Sequence, residues 1–152
     1  MMRHLGVWAV LLGTVLWGVA AFAQGYGDYS SPQPAQAGKL NTQLTTAVEH
    51  AGNAVKSGTM STAVSHLGHA LNCIEGTRGK NFNAAWGHVC QGQGDGITTD
   101  IKGAKNADSV MPVLESAHGL AVAGVKAKDL AGVQFAARGV GSLLQIVSDA
   151  TK

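Results

Sequence analysis

The sequence predicts an all-α protein: an antiparallel up-down-up-down four-helix bundle made of two helical hairpins, with a long disulfide-stapled loop between helices two and three. Three observations carry this. Apolar residues recur at three- and four-residue steps in four separate stretches beyond residue 39. The chain is 45% hydrophobic but only 5% aromatic, so its core must be built from Ala, Val and Leu, which suits closely packed helices. A faint internal repeat pairs VEHAGNAV and STAVSHLGHAL with LESAHGLAV and LAGVQFAARGV, each half reading helix, tight turn, helix.

Residues 1–23, MMRHLGVWAVLLGTVLWGVAAFA, read as a signal peptide. Arg3 precedes an apolar run, and Ala21 and Ala23 are the small residues a signal peptidase needs to cut before Gln24. No basic stop-transfer cluster follows, so the expected mature form is periplasmic or secreted and does not span a membrane. Removing 23 of 152 residues leaves 129, enough for one modest domain. Losing Arg3 from 11 basic residues, against nine acidic ones, leaves a net charge of about +1. The cations are scattered singly, which excludes a nucleic-acid face.

Residues 24–38, QGYGDYSSPQPAQAG, read as a flexible leader, and residues 39–152 as a single four-helix domain. Helix one carries Leu40, Leu44, Ala47, Ala51, Ala54 and Val55 on one stripe, and Ser57-Gly58-Thr59 ends it and caps its successor. Helix two carries Met60, Ala63, Leu67, Ala70 and Ile74. The stretch 76–97, GTRGKNFNAAWGHVCQGQGDGI, has six glycines and no helical period, so it reads as a loop. It lacks the Gly-Lys-Ser/Thr of a phosphate loop and the ligand spacing of a calcium loop. Helix three runs to Val125 from Asp100 or Ser109, with Val110, Leu114, Ala117, His118, Ala121 and Val125 inward; Pro112 suits a first turn and favours the later start. Helix four uses Leu130, Val133, Ala137, Val140, Leu144 and Val147.

Cys73 and Cys90 pair most simply as one disulfide in an oxidising compartment, within one chain or between two; free thiols or thiolate ligands are the competing uses. That bond staples the 76–97 loop to the end of helix two.

The histidines are the candidate site. On a helical wheel His50 lies about 90° from the apolar stripe of helix one, and His66 and Cys73 lie about 90° to the same-signed side on helix two. His50 and His66 each stand eight residues from Gly58, so they are expected level with each other, either across the helix one–two seam or on the two outer seams. His69 is expected to point more outward. His118 stands eight residues before Lys126 and joins the same layer if the two hairpins pack with their turns at one end. Such a layer suits copper, zinc or nickel, with Glu49 or Glu115 as hydrogen-bond acceptors behind it. The competing reading is structural: solvated histidines on helix flanks and a hydrogen-bonded core His118. His88, in the loop, has no assigned role.

The segment AVEHAGNAV-KSG followed by SHLGHAL, residues 47–71, resembles the exported small metal-binding proteins of bacteria. The resemblance implies antiparallel helices with recurrent Ala-Val-x-His-Ala units that bind divalent metals, copper among them, with His50, His66 and His69 on the family's histidine positions. This chain departs from that pattern in its cysteine-bearing loop, and in having Gln134 and Arg138 where further histidines would stand.

The expected function is therefore binding of a divalent transition metal for sequestration or delivery, not catalysis, since no nucleophile–base–acid set is evident. Covalent haem is excluded by the absence of Cys-x-x-Cys-His, and the few aromatics argue against haem held by His118 with Met60 or Met111. The alternative is a non-catalytic interaction module that contacts a protein partner through Phe82 and Trp86 of the loop, although these aromatics serve equally as the lid of a small core.

Overall fold

The structure, a computed structural model, describes residues 34–152. The signal segment 1–23 and residues 24–33 of the leader lie outside the described residues. Five α-helices and no strand occur among the described residues: α1 (Pro34–Lys56), α2 (Met60–Glu75), α3 (Ile97–Asp100), α4 (Ala107–Gly124) and α5 (Leu130–Ala150). The fold is all-α, and Cys73 and Cys90 are joined by a disulfide within the chain.

α1 begins five residues before the predicted start at Lys39. Pro34 opens it, where a missing N–H removes no helical bond and the ring pre-sets φ. The apolar period begins only at Leu40, which is why the first turn was illegible in it. Thr59 ends the turn after α1 and caps α2, its side chain accepting from the Thr62 N–H. Asp129 caps α5 in the same way, accepting from the Gly132 N–H at 2.7 Å. Both turns thus carry a chemically specified start for the helix that follows.

The core sits between the four long helices. α1 packs against α2 and α5, α4 packs against α5, and α2 meets α4 and α5 less extensively. Leu44, Leu67, Leu71, Ile74, Leu114, Val133, Val140, Leu144 and Val147 fill it, with Ala47, Ala51, Ala63, Ala70, Ala117 and Ala137 where helices close in. Of the expected stripe, Met60 is exposed, because it stands in the first turn of α2 beyond the packed layer. α5 is the one described helix long and apolar enough to cross a membrane, and its stripe from Val133 to Val147 faces this core.

α4 starts at Ala107, so Pro112 lies at the sixth position and not in the first turn. The burial of Val110 and Leu114 extends the register backwards past the proline, which stays exposed on the outer side. The glycine-rich segment is more structured than a loop. Ala84–Trp86 forms a 3-10 turn, α3 follows at Ile97, and a second 3-10 turn spans Ile101–Gly103. Ile97 and Ile101 are fully buried and pin this segment to the core. Gln43 of α1 holds it from the other side, donating to Asp100 Oδ2 at 2.6 Å and accepting from the Gly96 N–H at 3.1 Å. Gly76 and Gly96 take positive φ, 68° and 107°, where the two backbone strands run too close for side chains.

Two glycines of α4 should respond oppositely to alanine. A Cβ at Gly124 would meet Leu67 Cδ2 at 2.6 Å and Ala136 Cβ at 2.5 Å, whereas one at Gly119 meets nothing within 4 Å. Gly124→Ala is expected to cost about 1–3 kcal/mol through overpacking. Gly119→Ala should stabilise by up to about 1 kcal/mol through helix propensity alone. Urea midpoints of the two variants, moving in opposite directions, check this.

Candidate metal centre

His50 comes from α1, and His66 and His69 from α2. The turn at Ser57–Thr59 folds α2 back along α1, so residues equally far from it meet across the seam. His66 and His69 are three apart on one helix, a spacing that stacks side chains on a single face. His50 Nδ1 lies 3.2 Å from His66 Nδ1 and 3.1 Å from His69 Nδ1. The three nitrogens all fall within 4.8 Å of one another, and the three residues are half-buried, forming a group able to hold a metal ion.

This arrangement does not satisfy itself with protons. A neutral imidazole offers one N–H and one lone pair, so His50 Nδ1 cannot serve both contacts well in either tautomer. A cation placed among the three lone pairs satisfies all of them. With metal–nitrogen bonds of 2.0–2.1 Å and tetrahedral angles, ligand nitrogens sit about 3.4 Å apart, close to the observed spacing.

The electrostatics favour free lone pairs at neutral pH. Burial lowers the pKa of His50 below its ordinary 6.5, the neighbouring charges of His69 and then His66 lower it further, and Glu49 opposes weakly. Burial also lowers that of His69, with a hydrogen bond to the Trp86 backbone opposing and His66 adding to the fall.

Sequence reasoning placed His69 too far outward. α1 lies against the flank of α2 that carries both His66 and His69, so both rings turn towards His50. His118 is not part of the group. Its Nε2 bonds the Glu75 carboxylate, which also accepts from the Asn81 N–H and side-chain amide at 2.6 Å each. Burial pushes the Glu75 carboxyl up, but the bonds from Asn81 and His118 outweigh it and hold the pKa below the ordinary carboxylate value. His118 does not share the histidine layer because α4 brings it to Glu75 of α2, one turn and more beyond His66 and His69. Glu49 and Glu115 are both exposed.

The loop closes over the far side of the group. Trp86 is half-buried with its indole on Gly68, where any Cβ would overlap it, and Gly87 faces His69 Nε2. Phe82 is half-buried and meets His88 edge to face, with ring centroids 5.3 Å apart. Asn72, which sequence reasoning passed over, is fully buried and anchors this loop. It donates to the carbonyls of Asn83 at 2.9 Å and Gly87 at 2.6 Å and accepts from the Asn83 N–H at 3.0 Å. The usable signal was its position, three residues after His69 and beside Cys73.

Comparison of the chain with protein-family models, with curated proteins and with solved structures returned no match.

The two lowered histidine pKa values fix the sign of a pH effect. A folded pKa below 6.5 means that the unfolded chain binds more protons there. Stability from these groups is complete above that value and is lost as pH falls through it. Glu75 adds a loss only further down, below 4.5. In metal-free buffer the melting temperature should be higher at about pH 7.5 than at about pH 5.5. His50→Gln should flatten that difference; an unchanged slope would count against histidine burial as its cause.

Proposed function

We propose that this protein binds a divalent transition metal, copper or zinc with nickel as a further candidate, through His50, His66 and His69. The single observation that carries the reading is the convergence of three Nδ1 atoms from two helices, two of the contacts at 3.1 and 3.2 Å. Three neutral imidazoles without a thiolate or carboxylate suit these borderline metals and not calcium or magnesium. Three protein donors leave a fourth position for solvent or an exchanging ligand, unlike a closed four-ligand structural site. The protein is on this reading a binding protein for sequestration or delivery, not an enzyme.

We also propose that the four long helices run up-down-up-down as two hairpins, supported by the pairing of α1 with α2 and of α4 with α5. Export to the periplasm or outside the cell fits the signal-like segment 1–23 and the Cys73–Cys90 disulfide, which persists in oxidising compartments. The resemblance to exported small metal-binding proteins agrees with this reading. The alternative, a protein-interaction module using the 76–97 loop, has less support, since Trp86 lies against α2.

Calorimetric titration with copper and zinc tests the function. One ion per chain is expected, with affinity falling on the order of 100-fold or more when His50, His66 or His69 is changed to Ala, because each removes a direct ligand. His118→Ala should leave affinity within about twofold, since its partner is Glu75. Absence of binding, or equal loss in all four variants, would sink the metal reading.

A further inference from the structure

We infer that the outer face of α4 and α5 binds a second copy of this chain, in a two-fold dimer where the apolar ridge of α5 seats on a row of small residues on α4 of the other copy. The face is separate from the histidine group, which lies between α1 and α2, and does not depend on metal binding.

Phe135 and Ile146 are the most exposed large apolar side chains among the described residues, at 72% and 53%. They stand eleven residues apart on α5, three turns or about 16 Å, and within about 20° of each other around it, so they form one ridge. Gly139 lies on the same flank, where a Cβ would meet Leu120 of α4, so the ridge runs beside the α4–α5 seam. Across that seam Pro112, Ser116, Gly119 and Ala123 make a row on α4, all exposed, small and uncharged. This row also spans eleven residues. Gly139 is level with Leu120 and Ala136 with Gly124, which sets Phe135 level with Gly124 and Ile146 with Val113. A two-fold axis parallel to the helices keeps every level and lays α5 of each copy over α4 of the other. Phe135 then meets Ala123 and Ile146 meets Pro112, and symmetry makes each contact twice.

Neither the ridge nor the row carries a charge, as the centre of an interface requires. α4 and α5 together hold one Lys or Arg, Arg138, against three carboxylates, Asp108, Glu115 and Asp149. That balance disfavours an anionic lipid surface, which is bound through basic side chains. The face runs about 30 Å along the helices and about 20 Å across the two of them. Each copy therefore covers about 600 Å², and the pair about 1,200 Å², the lower edge for specific interfaces. A dimer of this size is reversible and dissociates at about micromolar concentration or above.

Sedimentation equilibrium of the processed chain, residues 24–152, which holds every helix described, tests this from about 1 µM to about 1 mM. The wild type should pass reversibly from monomer to dimer. Phe135→Glu and Ala123→Lys each put a charge on an apolar contact, twice per dimer, and should weaken association on the order of 100-fold or more. Both positions are exposed, so neither variant disturbs the monomer, and an unchanged circular dichroism spectrum checks that. Mixed in equal amounts the two variants should dimerise with each other, because the new carboxylate and ammonium then face across one contact while the other contact is native. A wild type that stays monomeric at about 1 mM overturns the inference; if that monomer cosediments with phosphatidylglycerol vesicles, the face belongs to lipid instead. A dimer that either variant leaves intact, or a mixture that associates no better than each variant alone, overturns the seating of ridge on row.

Discussion

The covalent bond between Cys73 and Cys90 is the constraint on which the rest of this structure depends. The segment it holds is rich in glycine, and fixing such backbone costs more entropy than fixing any other. Closing that loop in advance removes much of this cost from the folding step. The remaining ties are local and polar. Asn72, Glu75 and Thr98 each reach backbone groups across the same junction, and Gln43 reaches it from α1. Asn72, Glu75 and Gln43 would be buried polar groups short of partners if the segment moved away, so they reinforce one another.

The same junction gives the histidine group its shape. His69, Asn72 and Cys73 lie within two turns of α2, so the bond that tethers the loop also keeps Gly87 beside the His69 ring. The other side of the group depends on different physics. α1 and α2 pack along each other, and the buried alanines Ala47, Ala51, Ala63 and Ala70 keep the side chains of the surrounding core small. Larger core residues would separate the axes and with them the three nitrogens.

Charge is scarce throughout, at 13% of residues, and it is segregated. The one buried carboxylate among the described residues, Glu75, is matched by His118 and Asn81 and lies apart from the three converging imidazoles. The histidine group thus has no buried anion of its own. Protonating it accumulates like charges, and a divalent ion is the partner that replaces those protons with a single centre.

Much of this was legible in the sequence. Four apolar stripes located the four long helices, compartment logic paired Cys73 with Cys90, and equal distance from Gly58 put His50 level with His66, with the structure deciding that they meet across the seam. These are local or topological facts: a 3.6-residue period, two thiols, a turn. The position of His69 inside the group, the pairing of His118 with Glu75, the burial of Ile97 and Ile101, and the hydrogen bonds of Asn72 were decided only by tertiary structure. A wheel gives the direction of a side chain from its own helix, but not which neighbour lies there. Nor does periodicity reach a glycine-rich segment, whose conformation comes from what it is pressed against.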